Sequence, residues 1–192
     1  MTKPLPELQA EGSPIKLRYV RESDMEAYYS FLQDAESNRL TGTQQHIPRD
    51  KVAAWIKKIA VRNDDRVDMM IVLKETDELL GEVVLNEIDS LNRSANIRIG
   101  IQGTQHRGKG YGTEAMLCTL RYGFETLKLH RIYLGVYVFN PRAIHVYEKI
   151  GFKREGVERD VLFLEGEYHD MIMMSMLEDE FRALHGQLLT LF

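Results

Sequence analysis

The fold is decided by the stretch Ile97-Arg98-Ile99-Gly100-Ile101, which is followed by Arg107-Gly108-Lys109-Gly110-Tyr111-Gly112-Thr113. An apolar strand leads into a turn with three alternating glycines, and the turn opens a helix. Glycine lacks the Cβ atom that would keep a ligand away from the main chain. The first N–H groups of a helix have no partner within it, and the positive end of the helix dipole lies behind them. This pattern is typical of a phosphate or pyrophosphate site.

Two other phosphate-binding motifs do not fit this loop. A Walker-type loop needs a lysine followed by serine or threonine, but Lys109 is followed by Gly110. A dinucleotide-binding loop reads G-x-G-x-x-G and has an acidic residue at the end of the next strand, which here ends in Asn140-Pro141. A glycine-rich turn without a ligand is the remaining alternative. It leaves unexplained why the helix start carries three glycines that each cost roughly 1 kcal/mol.

A second motif follows downstream. Residues 140–152 read Asn-Pro-Arg-Ala-Ile-His-Val-Tyr-Glu-Lys-Ile-Gly-Phe, which matches N-x-x-A-x-x-x-Y-x-K-x-G-F. Residues 107–112 match R/Q-x-x-G-x-G/A. In this order the two motifs resemble those of the GNAT superfamily of N-acetyltransferases, and the resemblance spans about residues 15–177. The run Gly166-Glu167-Tyr168-His169-Asp170-Met171 is similar to the RimJ/RimL-like and spermidine acetyltransferase branch.

The alternation of strand and helix patterns predicts one α/β domain over residues 15–177. An extended tail is expected over residues 1–14. Helical spacing of Phe181, Leu184 and Leu188 predicts a tail over residues 178–192 that packs on the domain or on a partner, such as a second copy in a homodimer. Strands are predicted over residues 15–20, 68–74, 79–88, 95–102, 131–139, 153–164 and 168–177, and helices over residues 24–33, after Pro48, and over residues 110–127 and 141–149. The polar connection over residues 36–49 is expected to help select the acceptor.

The resemblance implies a GNAT-type fold. This is a mixed, mostly antiparallel sheet of about seven strands with helices on both faces, in which a splayed parallel pair of strands holds the cofactor. It also implies acetyl-CoA as the co-substrate, with the main chain of Gly100, Ile101 and Gln102 paired to the pantetheine arm. The pyrophosphate is expected on Arg107, Gly108, Lys109, Gly110, Tyr111, Gly112 and Thr113, with Arg107 and Lys109 adding charge. Asn140 is expected to bind the arm, and it also suits a helix N-cap before Pro141.

Composition fits one enzyme domain. The chain has 192 residues, of which 44% are hydrophobic and 28% charged, and a net charge of −4. A broad basic face is lacking, so a nucleic-acid partner is not expected. No apolar segment of membrane length is present, and a cytoplasmic location is predicted. The single cysteine, Cys118, excludes an internal disulfide and a cysteine-cluster metal site, and its apolar helical surroundings predict core packing.

Acyl transfer to an amine needs a base, a proton for the departing thiolate and a donor for the oxyanion. Tyr147 matches the family tyrosine near the sulfur and is expected to act as general acid. The base is open, because Gly135 stands where some family members carry a glutamate. Glu87 is preferred to Glu82, with a water chain as the third candidate. The two glutamates are an odd number of residues apart, so in a regular strand only one of them faces the site.

The predicted function is transfer of an acetyl group from acetyl-CoA to a primary amine by direct attack in a ternary complex. The acceptor is a protein N-terminus or a small amine such as a polyamine. The alternative is a non-catalytic acyl-CoA-binding sensor or interaction module, which has no need of Tyr147. The histidines have no zinc-site spacing, so no metal is expected.

Overall fold

A computed structural model describes residues 7–60 and 65–186, and a mixed sheet with the order β1-β2-β3-β4-β5-β7-β6 runs through this part of the chain. Every neighbouring pair is antiparallel except β4 and β5, which are parallel. The predicted mixed, mostly antiparallel sheet is thereby confirmed. Its strands are β1 (Ile15–Tyr19), β2 (Val67–Leu73), β3 (Leu79–Asp89), β4 (Ser94–Ile101), β5 (Arg131–Tyr137), β6 (Lys153–Leu164) and β7 (Glu167–Leu177).

Helices lie on both faces of the sheet, as predicted. The helices α1 (Met25–Leu32) and α3 (Arg49–Ile59) cover one face at β1–β3, where Phe31, Ile56 and Met70 belong to one buried cluster. On the other face a larger cluster buries Phe124, Ile132 and Phe181. That face carries the helices α4 (Tyr111–Arg121), α5 (Pro141–Ile150) and α6 (Glu178–His185). These two faces are called the α1 face and the α4 face below.

One helix was not predicted from the sequence. The helix α2 (Ala35–Thr41) occupies the segment that we interpreted as a polar connection. It begins where the Asp34 carboxylate accepts a hydrogen bond of 2.6 Å from the main-chain N–H of Ser37. It ends at Gly42, whose φ of +69° is the left-handed conformation common at helix ends. Its seven residues include few apolar ones, so the helical hydrophobic pattern is absent.

The tails are only partly covered by the described residues. Leu8 and Leu17 exchange two main-chain hydrogen bonds, so the described part of the N-terminal tail pairs with β1. At the other end Phe181 is 1% exposed and its ring lies 5.2 Å from that of Phe124, so α6 packs on its own domain. Residues 1–6, and Leu188 with the rest of residues 187–192, lie outside the described part.

A gap divides the middle of the sheet. The strands β4 and β5 are paired only at Ser94↔Arg131, Ala95↔Ile132 and Asn96↔Tyr133. Beyond these pairs β4 continues along β3 while β5 continues along β7, so the parallel strands diverge. The N–H of Gln102 donates to the Leu80 carbonyl at 2.7 Å. Because main-chain direction alternates in an antiparallel ladder, Gly100 and Gln102 present their polar groups to β3, whereas Ile99 and Ile101 present theirs to the gap.

Candidate functional site

A cavity of about 350 Å³ opens into this gap from the α4 face. Its walls are formed by α2, the end of β4, the glycine-rich loop, the start of α4, and α5. Most of the predicted site residues line it: Gly100, Ile101, Arg107, Gly108, Gly110, Tyr111, Gly112, Thr113, Asn140 and Tyr147. Three of the predicted residues are not among the residues that line it: Gln102, Lys109 and Glu87.

The loop offers main-chain N–H groups to the cavity. Gly108 and Gly110 have φ values of +79° and +86°, a left-handed conformation that residues with a Cβ atom adopt at a cost. The N–H of Glu114 donates to the carbonyl of Gly110 at 3.0 Å, which starts α4 there. The N–H groups of residues 111–113 precede the first donor of the helix ladder, so they have no partner within α4. This end of the cavity therefore suits an anion.

Arg107 lines the cavity, and both its N–H and its side chain are bonded within the protein. Its N–H donates to the carbonyl of Thr104 at 3.2 Å. Its guanidinium donates to the hydroxyl of Ser37 at 2.8 Å and to the Ile101 carbonyl at 3.3 Å, and it forms ion pairs with Asp34 and Glu36. Two carboxylates at the start of α2 thus compensate its charge. Arg107 therefore joins α2 to the glycine-rich loop, and its binding of the pyrophosphate stays a prediction.

Asp34 completes this connection. Its carboxylate accepts hydrogen bonds from the N–H groups of Ser37 at 2.6 Å and Gly103 at 3.0 Å. Burial alone would raise the pKa of Asp34, but these hydrogen bonds and the charge of Arg107 outweigh burial and lower it. The carboxylate is therefore ionised at neutral pH. One charged network joins the end of β4, the loop and the helix that forms a wall of the cavity.

Tyr147 is held at the cavity by α5. The side chain of Asn140 caps the helix by accepting from the N–H of Ala143 at 3.1 Å, Pro141 follows at the first position, and Gly151 ends the helix with a φ of +115°. The helix-cap interpretation of Asn140 is confirmed. Burial raises the pKa of Tyr147 to about 12, so its phenol stays protonated at neutral pH. Within residues 7–60 and 65–186 its hydroxyl has no hydrogen-bond partner.

Sequence reasoning missed two parts of the cavity. The first is α2, which contributes Ser37, Leu40 and Thr41. The second is Arg142, which lies beside the loop: a Cβ atom on Gly108 would stand 3.4 Å from its guanidinium. In the described part of the chain Arg142 makes no ion pair. Its signal was available, since it lies inside the second motif, but at a position that the motif leaves unspecified.

The α1 face of the gap carries both candidate bases. Asn86 pairs with Asn96 but Asp89 pairs with Ser94, so β3 holds one extra residue, and Glu87 has a φ of +54°. This bulge shifts the alternation by one residue. Glu82 and Glu87 consequently both lie on the α1 face, where they accept hydrogen bonds from the hydroxyls of Tyr28 and Tyr133. The expectation that only one glutamate can face this side is wrong, because it assumed a regular strand.

The two glutamates differ in their surroundings. Glu82 is partly buried beneath α1, and its burial raises its pKa although the Tyr28 hydrogen bond and the charge of Arg98 oppose the rise. Glu87 is exposed and accepts a hydrogen bond of 2.7 Å from Tyr133. Since Tyr133 belongs to the last pair between β4 and β5, the carboxylate of Glu87 stands where the gap begins.

One glycine lies on each of the two strands beside the gap, Gly100 on β4 and Gly135 on β5. A Cβ atom on Gly100 would come within 2.8 Å of the Phe31 ring, and one on Gly135 would come within 2.5 Å of the Met171 sulfur. Side chains at these positions would collide with Phe31 and Met171. The α1 face of the gap is therefore bounded by an aromatic ring on one side and a thioether on the other.

Two further features of the described residues concern metals and membranes. Residues 7–60 and 65–186 contain no cluster of three or more histidine, cysteine, aspartate or glutamate side chains arranged to hold a metal ion. The helices in this part are too short or too polar to span a membrane.

Comparison with known proteins agrees with this geometry. A family model described as an acetyltransferase (GNAT) domain matches residues 15–153. The spermidine N(1)-acetyltransferase of Vibrio cholerae is 37% identical over 118 residues, which are 61% of this chain and 68% of that protein. The N-acetyltransferase YokL of Bacillus subtilis is 27% identical over 177 residues, which are 91% of this chain and 96% of that protein.

Solved structures show the same fold. The crystal structure of the Vibrio cholerae spermidine N-acetyltransferase in complex with CoA and spermine superposes with a TM-score of 0.82 and 28% identity. The alignment covers 88% of this chain and 99% of that chain.

A sequence match to the spermidine N(1)-acetyltransferase of Escherichia coli K12, 35% identical, covers 63% of this chain and 64% of that protein.

Proposed function

This chain belongs to the GNAT acetyltransferase family. We propose how its residues transfer an acetyl group from acetyl-CoA to a primary amine. It is an acetyl-CoA-dependent N-acetyltransferase. One observation carries the proposed mechanism: β4 and β5 are paired at three positions and separate beyond them, and candidate site residues lie beside this gap on both faces of the sheet. The α4 face offers an anion site and the phenol of Tyr147, and the α1 face offers the carboxylate of Glu87. The donor and the acceptor therefore reach the gap from opposite sides.

The cavity fits the donor. The main-chain groups of Ile99 and Ile101 can pair with the amides of an extended pantetheine arm, as an added strand would. The Ile101 carbonyl is already bonded to Arg107, so this pairing ends at the N–H of Ile101. The N–H groups of Gly108, Gly110 and residues 111–113 bind the pyrophosphate, and Arg142 adds charge beside the loop. Asn140 uses its oxygen as a cap and keeps its amide N–H₂ for the arm.

Bound acetyl-CoA supplies the activated acetyl group, and side chains of this chain move the protons. Glu87 receives a proton from the ammonium group of the acceptor, directly or through water, so that the amine can attack. Tyr147 donates its hydroxyl proton to the departing thiolate. The α1 and α4 faces hold the two reactants in register, which supplies much of the acceleration in such a ternary complex. Burial raises the pKa of Cys118 to about 11, which opposes a cysteine-bound acetyl intermediate.

The acceptor is a primary amine. Three relatives carry the name spermidine N(1)-acetyltransferase, and another carries the name putative ribosomal N-acetyltransferase. We therefore propose a polyamine or the N-terminus of a protein or peptide as the acceptor class, in the RimJ/RimL-like or spermidine acetyltransferase branch. A location in the cytoplasm accords with this class of substrate.

The test is release of CoA from acetyl-CoA by the purified chain. The acceptors are spermidine, an aminoglycoside, free amino acids, and peptides with different N-termini. We expect release above hydrolysis with one class and a drop in kcat for Glu87→Gln that exceeds the drop for Glu82→Gln. Binding of acetyl-CoA without release for any acceptor would contradict the proposal and favour the non-catalytic binding module. A larger loss for Glu82→Gln would move the base to Glu82.

A further inference from the structure

Arg98 is an exposed arginine on the α1 face, next to the start of the gap. On β4 it lies opposite Val84, two residues beyond Asn96, where the pairing with β5 ends. Its neighbours Ile97 and Ile99 pack on the α4 face, so its own side chain extends to the other side. The acceptor of the proposed reaction arrives on this side. The guanidinium is thus placed on the side of the sheet from which the amine approaches.

Arg98 differs from its charged neighbours because its charge is not compensated. In the described part of the chain it makes no hydrogen bond and no ion pair. Arg66 is paired with Asp68 at 2.6 Å, Arg131 with Glu155 at 2.6 Å, and Arg39 with Glu165 at 3.2 Å. The charge of Arg98 does act on Glu82: burial raises the pKa of Glu82, and Arg98 opposes the rise. Glu82 itself is hydrogen-bonded to Tyr28.

Two charged side chains on the α1 face beside the gap are of opposite sign. Glu87 offers a carboxylate held by Tyr133, and Arg98 offers a free guanidinium. Arg98 pairs with Val84, and Glu87 lies three residues further along β3, roughly 10 Å at the usual rise per strand residue, so the two long side chains can engage two ends of one small molecule. A polycation would meet Glu87 favourably but would have to lie along Arg98, and like charges in contact disfavour binding. A molecule with both an ammonium and an anionic group satisfies both side chains.

We propose that the acceptor is a primary amine that also carries a carboxylate, such as a free amino acid or a short peptide with a nearby carboxyl group, and that Arg98 binds this carboxylate. The inference rests on the proposed function and specifies its substrate class. A guanidinium suits the role because it presents paired N–H donors to a carboxylate. Arg98 acts in acceptor selection and takes no part in proton transfer.

The experiment compares matched acceptors with matched variants. Each amino acid is assayed beside its methyl ester, so that only the carboxylate charge is removed, and spermidine is assayed in parallel. Esterification also lowers the pKa of the amine, which by itself favours the ester, so a preference for the acid is a stringent result. The variants are Arg98→Gln and Arg98→Glu. Arg159→Gln serves as the control, because Arg159 is an exposed arginine on β6 that makes no ion pair within the described residues.

For the unmodified chain, kcat/KM for the amino acid is expected to exceed that for its ester by roughly 10-fold or more, in line with a hydrogen bond to a charged group. Arg98→Gln is expected to remove this preference through the acceptor KM, with the KM for acetyl-CoA unchanged. Arg98→Glu is expected to raise kcat/KM for spermidine. The control Arg159→Gln is expected to change neither the preference for the amino acid over its ester nor kcat/KM for spermidine.

Two results would overturn the inference. In the first, the unmodified chain prefers spermidine or the ester, and Arg98→Gln leaves the acceptor KM unchanged, while the proposed acetyl transfer itself stands. In the second, no acceptor gives CoA release although acetyl-CoA binds, and then the proposed function fails together with the inference.

Discussion

Tyr147 is a phenol with a raised pKa and a free hydroxyl at the cavity, and its removal gives the most direct test of the chemistry. We expect Tyr147→Phe to lower kcat by about 10²- to 10⁴-fold, the usual contribution of a general acid, because the thiolate then leaves without its proton. Binding of acetyl-CoA should persist, since the ring is retained. CoA release and a ligand-induced thermal shift measure the two quantities. Tyr168→Phe, at a residue that is 65% exposed, is the control.

A loss of acetyl-CoA affinity in Tyr147→Phe as large as the loss of kcat would contradict this assignment, because it would show that the hydroxyl positions the donor. Unchanged turnover would also contradict it. Water would then be the source of the proton.

The pH dependence of kcat follows from the same residue. A general acid must be protonated, and burial raises the pKa of Tyr147 to about 12, so the protonated fraction stays near one across the neutral and mildly alkaline range. Turnover should therefore rise with pH as the base and the amine lose protons. It should show no decline at about pH 10, the ordinary pKa of tyrosine. A falling limb near that pH that disappears in Tyr147→Phe would contradict the raised pKa.

Individual site residues were predictable from the sequence where main-chain geometry decides their role. Gly108, Gly110 and Asn140 lie at the cavity, since a glycine turn and a helix cap are local features. The contacts of Arg107 with α2 and the position of Arg142 beside the loop were missed, because a motif records residue types and not where long side chains reach. The side chain of Arg107 turns to α2, a partner that lies about seventy residues earlier in the sequence.

The helix α2 depends on a network with Arg107 that lies at the wall of the cavity. We expect Arg107→Gln to destabilise the fold by about 1.5–3 kcal/mol, because it removes the charged hydrogen bonds to Ser37 and Ile101 and the ion pair with the half-buried Asp34. It should also raise the KM for acetyl-CoA, because Ser37, Leu40 and Thr41 line the cavity. Lys109→Gln, at an exposed residue outside the cavity lining, should change neither quantity. Thermal unfolding and initial rates measure both effects.

If Lys109→Gln weakens donor binding more than Arg107→Gln does, the role assigned to Arg107 is wrong. The charge at the pyrophosphate would then come from the loop lysine.

The glycine loop and α4 give a matched pair of substitutions. Gly110→Ala places a Cβ atom at a φ of +86°, which costs about 1–2 kcal/mol, and the strain should shift the N–H groups and raise the KM for acetyl-CoA. In Gly112→Ala the new Cβ atom meets Ile101 at an ordinary 3.7 Å, and helix propensity favours alanine by up to about 1 kcal/mol. Gly112→Ala should therefore keep donor affinity. Equal KM values for the two variants would contradict a main-chain origin of binding.

Among the elements, long periodic strands were predicted within a few residues, while short or irregular features were not. The bulge at Glu87 has no glycine or proline to mark it, and the preceding strand residues alternate regularly. The start of α2 did carry a signal, since Asp34 is a favourable cap and Gly42 a favourable end. Without an apolar stripe between them, these two signals were interpreted as a connection.

For the whole molecule, donor binding should stabilise the fold by mass action. Acetyl-CoA at 100 times its Kd adds about 2.7 kcal/mol to the free energy of unfolding. For a chain of this size, Tm rises by roughly 2–4 °C for each kcal/mol, so we expect a shift of about 5–11 °C. Differential scanning fluorimetry with acetyl-CoA measures it, and NAD at the same concentration is the control. A comparable shift with NAD would contradict the choice of donor.

The homodimer stays a prediction at this scale. In the described residues α6 packs on the core of its own domain through Phe181, so this side chain is buried without a second copy of the chain. Light scattering during size-exclusion chromatography of the full chain determines its mass in solution.

Within residues 7–60 and 65–186, three residue pairs join β4 to β5 at the centre of the sheet. The two halves are also joined by main-chain hydrogen bonds from His130 and Arg131 to the Arg93 carbonyl and by the hydrogen bond from Tyr133 to Glu87, while the rest of the contact is apolar packing, in which Leu85 and Ile132 share one buried cluster. Such packing has no fixed direction, so it tolerates small sliding movements that a hydrogen-bonded ladder resists. The two halves of the sheet are therefore weakly joined between β4 and β5, and amide hydrogens on both sides of this line should exchange together in the free protein. Acetyl-CoA bound in the gap supplies further hydrogen bonds between β4 and β5, and the two halves of the sheet should then open as one cooperative unit.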